Sequence, residues 1–205
     1  MNDLNKIDSN NNDTGTKISE PENKLLSQVD FTKLPSFYTD DEKYNLYFSS
    51  RIDSTMDLIV PRLYISDDIA ARNKKLLNEK KITHILNITT NIPNKYEPEI
   101  TYKKLIILDF ESQNISQYFN EAYEFIDNAL FDEKNSLLVH CNAGISRSSS
   151  FVIAYLMKKR IFKNYKDALS HVRKCRPIVS PNKGFEKQLI SLESKIKKRN
   201  ACLVM

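Results

Sequence analysis

The stretch LLVHCNAGISRSSSFVIAYLM, residues 137–157, changes from apolar to small and polar and back to apolar within 21 positions. The run SLLVH at 136–140 predicts a buried strand, and the apolar residues after the small ones predict a helix at about 146–160. Cys141 to Arg147 should therefore form a loop between a strand and a helix. In sheet proteins with helical connections, ligands bind at such junctions.

Strand-like and helix-like segments alternate on both sides of this junction. Strands are predicted within 57–66, at 82–88 and at 104–108, and helices at 69–77, 115–131, 164–174 and 183–198. This order predicts an α/β fold, with a central, mostly parallel sheet flanked by helices. We expect one catalytic domain at 53–197 and a short tail at 198–205. Residues 1–52 form an N-terminal extension that is disordered, or partly docked on the domain or on a partner through its aromatic residues.

The positive charge is concentrated in the predicted domain. Residues 53–205 carry 25 basic and 17 acidic side chains, whereas residues 1–52 carry 6 and 9. A basic surface suits phosphorylated protein, anionic lipid or nucleic acid, and charge alone does not choose among them. Cys141, Cys175 and Cys202 lack metal-ligand spacing, and no apolar run approaches the about 20 residues that span a bilayer. We therefore expect a cytoplasmic protein without a disulfide scaffold or a zinc site.

The loop itself has the composition of an anion-binding site. Successive backbone N–H groups and the start of a helix would surround an anion, and Arg147 could hold two phosphate oxygens. Gly144 gives the backbone the freedom for a tight curve. Helix N-termini favour the thiolate form of cysteine, so Cys141 could attack phosphorus with no metal or cofactor. The N–H groups that would bind the phosphoryl group belong to the loop residues Asn142, Ala143, Gly144, Ile145 and Ser146.

The motif HCNAGISRS resembles the signature of dual-specificity protein phosphatases, within the cysteine-dependent protein tyrosine phosphatase superfamily. The resemblance covers roughly residues 55–195 and includes VPRLYIS, ITHILNIT, LDFESQNI, YFNEAYEFI and ALSHVRKCRPIVSPNKGFEKQL. It implies a single catalytic domain of the atypical type with a protein tyrosine phosphatase-like fold. It also implies Cys141 as nucleophile, Arg147 as phosphate ligand and a Ser148 hydroxyl that eases departure of the thiolate. His140 resembles a histidine that sets the loop conformation without reacting.

A general acid should stand opposite the nucleophile. Asp109 ends the apolar run LIIL and matches the family's acid in position, with Glu111 as its rival. Because an aspartate is mostly ionised at neutral pH, we predict a mildly acidic optimum. Asn182 resembles a position that supports the loop by hydrogen bonds, although a turn or helix cap explains it equally well. Cys175 could be structural, exposed or a redox partner of Cys141.

The last four residues, CLVM, fit the Cys-aliphatic-aliphatic-X signal and predict farnesylation of Cys202. The basic residues just before them would add attraction to an anionic membrane: Lys195, Lys197, Lys198 and Arg199. The alternative is a frayed helix end with an apolar tail.

Taken together, these residues predict a protein phosphatase that acts on phosphotyrosine and on phosphoserine or phosphothreonine. Phosphorylated proteins, a protein kinase among them, are the expected partners, together with an anionic membrane surface and no nucleic acid. Two alternatives stay open. One is a phosphoinositide phosphatase, which the neutral loop residues Asn142, Ile145 and Ser146 disfavour. The other is a catalytically weak module that binds phosphoproteins, and such modules usually lack the nucleophile that Cys141 supplies here.

Overall fold

The computed structural model describes residues 54–201, with side chains up to residue 198. The N-terminal extension at 1–52 and the proposed lipidation site Cys202 lie outside the described residues. Within the described part of the chain, no helix is long and apolar enough to cross a membrane.

A five-stranded sheet forms the centre of the domain. Its strands are β1 (Met56–Val60), β2 (Leu63–Ser66), β3 (Ile82–Asn87), β4 (Thr101–Lys104) and β5 (Ser136–His140). They lie side by side in the order β1-β2-β5-β3-β4. Only the edge strand β1 runs antiparallel to its neighbour, and the other three pairings are parallel. The predicted mostly parallel sheet is confirmed. All five residues of the central strand β5 are buried, as a strand covered on both faces requires.

Helices cover both faces of the sheet. Two short helices, α1 (Asp68–Ala71) and α2 (Lys74–Glu79), pack on one face together with Ile85 and Leu138. The neighbouring residues Leu86 and Leu137 point to the other face, because side chains alternate along a strand. That face carries the larger core and four longer helices, which are α3 (Phe119–Phe131), α4 (Arg147–Lys158), α5 (Tyr165–Cys175) and α6 (Lys183–Ala201). Helix α4 is central there, since every residue from Arg147 to Met157 is buried.

Two predicted elements were wrong in detail. The helix expected at 69–77 is split into α1 and α2, because the side chains of Asp67 and Asn73 each cap a new helix start. The strand expected at 104–108 ends at Lys104, where its pairing with β3 stops. Beyond Lys104 buried and exposed residues still alternate, with Ile107 at 0% and Ile106 at 67% exposure. This alternation imitates a strand, although residues 105–110 belong to no strand of the sheet.

Candidate active site

The loop predicted at the strand-to-helix junction lies between the end of β5 at His140 and the start of α4 at Arg147. The Cys141 side chain is buried at its beginning. The backbone N–H of Gly144 donates a hydrogen bond of 3.3 Å to the Cys141 sulfur, and the Ser148 hydroxyl lies 3.3 Å from the same sulfur. The structure thus brings the predicted nucleophile and Ser148 into direct contact.

The carbonyl groups of four consecutive loop residues turn outward, away from the centre of the loop. The carbonyl of Asn142 accepts from the N–H of Asp68 and that of Ile145 accepts from the N–H of Ser180. The carbonyls of Ala143 and Gly144 both accept from the Arg176 side chain. In a trans peptide, the C=O and the following N–H point in opposite directions. The N–H groups of residues 143–146 therefore point inward, which is the arrangement an anion requires.

Arg176 is a supporting residue that the sequence analysis missed. Its guanidinium is fully buried and donates from Nε to the Gly144 carbonyl over 2.9 Å and from Nη2 to the Ala143 carbonyl over 3.2 Å. Nη1 also pairs with the Asp57 carboxylate at 2.5 Å. Periodicity gives no signal for such a residue, because arginine is normally exposed. Its position before Pro177, where α5 has ended, was the one available hint.

Gly144 has the backbone conformation that the sequence predicted. Its φ of +67° lies in the left-handed region, where residues with a Cβ are strained. A Cβ there would also lie 2.6 Å from the Ser66 carbonyl oxygen and 2.6 Å from Arg176 Nη2. Both the backbone conformation and the close approach of β2 therefore require glycine.

Arg147, the first residue of α4, is buried beside the segment that carries Asp109. Its Nη1 donates to the Ile107 carbonyl over 3.1 Å, and its Nε lies 3.8 Å from Oδ2 of Asp109. The planar guanidinium is thus fixed at the N-terminus of the helix. That position suits a group that binds phosphate oxygens.

Asp109 connects its own segment to the loop and to the start of α6. Its Oδ1 accepts a hydrogen bond of 2.7 Å from the Ser146 hydroxyl and one of 2.6 Å from Nδ2 of Asn182. Asn182 also caps α6, because its Oδ1 accepts from the N–H of Phe185 over 2.9 Å. Asn182 is therefore a helix cap that also donates to Asp109, and its support of the loop stays a prediction. The rival acid Glu111 has an exposed side chain, and its backbone packs against Gly184.

His140 is buried behind the nucleophile and holds the loop without charge. Burial lowers the pKa of its imidazole to about 4, so the ring is neutral at physiological pH. Its Nδ1 lies 3.2 Å from the Cys141 carbonyl oxygen, and since a carbonyl only accepts, the proton sits on Nδ1.

Cys175 lies elsewhere, half-buried at the end of α5 and 3.9 Å from Nε2 of His171. Burial raises the pKa of its thiol, and its redox role stays a prediction.

Comparison with known proteins identifies the relatives of this arrangement. The family described as "Dual specificity phosphatase, catalytic domain" matches residues 63–195. Mouse dual specificity protein phosphatase 19 is 42% identical over 141 residues, which make up 67% of this chain and 63% of the relative. Dual specificity protein phosphatase 1 of Arabidopsis thaliana is 41% identical over 143 residues, or 70% of this chain and 71% of the relative.

Solved structures show the same fold. The crystal structure of the human tyrosine phosphatase-like serine/threonine/tyrosine-interacting protein is 34% identical and superposes with a TM-score of 0.63. The superposition covers 71% of this chain and 97% of that one. The chain thus spans nearly all of this neighbour but less than two thirds of the mouse relative.

Proposed function

The chain belongs to the dual specificity phosphatase family, and on that premise we propose that it hydrolyses phosphotyrosine and phosphoserine or phosphothreonine on proteins. The observation that carries the proposal is the loop around Cys141. Its sulfur is buried and in contact with the Ser148 hydroxyl, and the four carbonyls that follow are bonded outward. A nucleophile thus stands at an anion cradle made of backbone N–H groups.

In the first step, the Cys141 thiolate attacks phosphorus while the inward N–H groups and Arg147 hold the phosphate oxygens. The ester P–O bond breaks, and Asp109 donates a proton to the leaving oxygen. Both hydrogen bonds to Asp109 reach Oδ1, whereas Oδ2 lies toward Arg147 at 3.8 Å from Nε. We therefore assign the transferred proton to Oδ2.

In the second step, water attacks the phosphocysteine and Asp109 takes the proton that the water loses. The S–P bond breaks, and the sulfur leaves as a thiolate with inorganic phosphate as product. The Ser148 hydroxyl, 3.3 Å from the sulfur, can donate a hydrogen bond to this leaving thiolate. The same carboxylate thus acts first as acid and then as base.

Turnover of p-nitrophenyl phosphate by the full chain, across pH 5 to 8 and with a chelator present, tests the proposal. We expect activity that the chelator leaves unchanged, that has a mildly acidic optimum and that Cys141→Ser abolishes. Cys175→Ser is the matched control, because it changes a thiol away from the loop, and should retain activity. A folded sample without turnover at any pH would refute the catalytic proposal.

Substrate preference and binding without turnover distinguish two alternative functions from this one. The superposed human neighbour is named an interacting protein, and a module of that kind would bind phosphopeptides without turnover. A phosphoinositide phosphatase would prefer phosphorylated inositol lipids over phosphopeptides. The loop interior here has the neutral side chains of Asn142, Ile145 and Ser146, which supports the phosphopeptide assignment.

The physiological substrates and the kinase partner are accessible by trapping. Asp109→Ala slows departure of the alkoxide, and Cys141→Ser removes the nucleophile, so both variants should retain phosphoproteins that the wild type releases. Mass spectrometry of the proteins retained from a lysate would identify them. A double variant with Arg147→Ala, which lacks the phosphate ligand, is the control and should retain none.

We propose further that Cys202 is farnesylated and that this lipid, with the basic residues before it, places part of the protein on anionic membranes in the cytoplasm. The support is the sequence CLVM together with the basic cluster at 195–199. Mass measurement of the C-terminal peptide from a prenylating host tests the proposal. An unmodified Cys202 would contradict it, and Cys202→Ser is the control for membrane fractionation.

A further inference from the structure

A groove separate from the catalytic loop lies between the start of α3, the end of α4 and the outer half of α6. Its volume is about 270 Å³. The floor has apolar side chains, and the rim has amides, hydroxyls and two lysines. The lining residues are Ser116, Phe119, Asn120, Tyr123, Lys158, Gln188, Ser191, Leu192, Lys195 and Ile196.

The charge of the groove has one sign. Lys158 and Lys195 both line it, and no lining residue is acidic. The Lys158 amine lies 5.9 Å from the centre of the Tyr123 ring, so it stays near the buried part of the groove. An anionic group would therefore be attracted to this surface.

Tyr123 supplies a second, independent feature. Its side chain is buried, and among the described residues its hydroxyl has no hydrogen-bond partner. A buried hydroxyl without a partner is costly, and each such group in a native structure calls for an explanation. The hydroxyl oxygen is enclosed in this structure, so an acceptor on a bound molecule would supply the missing partner once the neighbouring side chains move apart.

The groove is connected to the segment that carries the proposed acid. Oε1 of Gln188 accepts from the N–H groups of Ile115 and Ser116, and its Nε2 donates to the Gln113 carbonyl. The same helix holds Asp109 through Asn182, so α6 contacts both sites. Along the helix, Lys195 lies about 20 Å from Asn182, because each residue adds about 1.5 Å. Lys195 is thus too far from Asn182 for one phosphorylated side chain to reach both.

We propose that this groove docks a short segment of a partner protein in which an acidic side chain stands next to an aliphatic one. The aliphatic side chain would cover Phe119, Leu192 and Ile196, and the acidic one would accept from Tyr123 and pair with the lysines. This proposal concerns binding and stands independently of turnover.

The dimensions and the rim favour a peptide. The volume of about 270 Å³ is at the lower edge of the roughly 300–1,000 Å³ of sites for small molecules and cofactors, so the groove suits one or two side chains of a larger partner. Polar groups of Asn120 and Ser191 at the rim can meet the N–H and C=O groups of a peptide, which an acyl chain lacks.

Selection of random octapeptides displayed on phage, with the full chain as target, tests the proposal. We expect recovered sequences with Asp or Glu within two positions of Leu, Ile, Val or Met. The synthetic peptides should bind the double variant Lys158→Glu, Lys195→Glu at least tenfold more weakly. The double variant Lys75→Glu, Lys166→Glu has the same net charge, with changes at exposed lysines outside the groove, and should bind normally. Turnover of p-nitrophenyl phosphate and circular dichroism confirm that all variants are folded.

Tyr123→Phe provides the sharper readout. It keeps the ring and removes the hydroxyl, so the affinity for a peptide with Glu should fall several-fold. The affinity for the same peptide with Gln in place of Glu should fall less. A hydroxyl with a purely structural role would leave affinity unchanged. Recovery of no octapeptide, or equal affinity in the two double variants, would overturn the proposal. So would vesicles of phosphatidylserine that bind the wild type but fail to bind Tyr123→Phe, since the groove would then hold lipid.

Discussion

Nδ2 of Asn182 donates a hydrogen bond of 2.6 Å to Oδ1 of Asp109, which ties the proposed acid to the first turn of α6. The backbone N–H of Asn182 also donates to the Ser146 hydroxyl over 3.1 Å. These contacts position an acid that lies outside the sheet. The orientation of Asp109 therefore depends on α6 as well as on its own segment.

Substitution of Asn182 separates this positioning from helix capping. Asn182→Ala removes the cap and should lower the free energy of unfolding by about 1 kcal/mol, whereas Asn182→Ser keeps a good capping residue. Both should lower kcat by about 10- to 100-fold, because misplacement of a catalytic group by about 1 Å costs up to that factor. Urea unfolding and steady-state kinetics measure the two effects. Full activity in Asn182→Ser would contradict the positioning role.

Ser148→Ala should slow the second step specifically. Loss of one hydrogen bond to the leaving thiolate costs about 1 kcal/mol, and more for a charged acceptor, so steady-state turnover should fall roughly tenfold. Phosphocysteine should then accumulate, and rapid mixing with p-nitrophenyl phosphate should show a burst of nitrophenol close to one per enzyme. Ser150→Ala is the control, since that hydroxyl bonds the Ser146 carbonyl. A uniform loss without a burst would argue against this role.

Arg176→Met should be strongly destabilising although Arg176 lies outside the catalytic loop. It removes the Arg176 donor from the carbonyls of Ala143 and Gly144 and the cation that pairs with Asp57, and breaking a buried ion pair costs about 3–5 kcal/mol. Lys174→Met changes an exposed charge in the last turn of α5, just before Arg176, and should shift stability by no more than about 0.5 kcal/mol. Denaturant unfolding gives both values. Similar stability in the two variants would refute the role of Arg176 in supporting the loop.

Gly184→Ala should be destabilising where alanine normally stabilises. Within a helix, alanine is favoured over glycine by about 1 kcal/mol. Here its Cβ would lie 1.9 Å from the Glu111 carbonyl oxygen, and forced contacts of this kind cost about 1–3 kcal/mol. Because Asp109 lies two residues from Glu111, kcat should also fall. Ser194→Ala on the exposed side of α6 is the control, and a more stable Gly184→Ala variant would contradict the contact.

The stability of the domain should depend on pH through His140. The unfolded chain protonates this ring near pH 6.5, whereas the folded chain keeps it neutral to about pH 4. Above pH 6.5 the ring is neutral in both states. As the pH falls from 6.5 to 4, the unfolded state binds the extra proton, so stability decreases by up to about 1.4 kcal/mol per pH unit.

His140→Asn isolates this contribution. Asparagine can donate to the Cys141 carbonyl but does not titrate. Below pH 6.5 the wild type should therefore lose unfolding free energy relative to the variant. Urea unfolding at pH 7, 6, 5 and 4.5 measures the difference, in which the carboxylates common to both proteins cancel. A difference that stays constant with pH would show that the buried His140 ring does not cause the loss of stability below pH 6.5.

The sequence by itself determined the parts of the fold that depend on the succession of residues along a short stretch of chain. The apolar run SLLVH became β5 at the predicted residues, and the small residues after it became the loop before α4. The need for glycine at position 144 was also readable, because a loop that curves within a few residues requires backbone freedom. Alternation of strands and helices was sufficient to predict a mostly parallel sheet, since parallel neighbours need helical crossovers.

Tertiary structure decided what supports that loop. Arg176 is 35 positions after Cys141, yet its side chain donates to the Gly144 carbonyl. Asp57 on the edge strand pairs with Arg176, and Ser66 on the next strand lies beside Gly144. The split of residues 69–77 into two helices and the departure of 105–110 from the sheet depended on capping and strand pairing. Such long-range contacts have no periodicity in the chain, because they arise from the packing of α5 and α6 against the sheet and its loops. The sequence therefore predicted the reactive groups, and the fold determined how they are held.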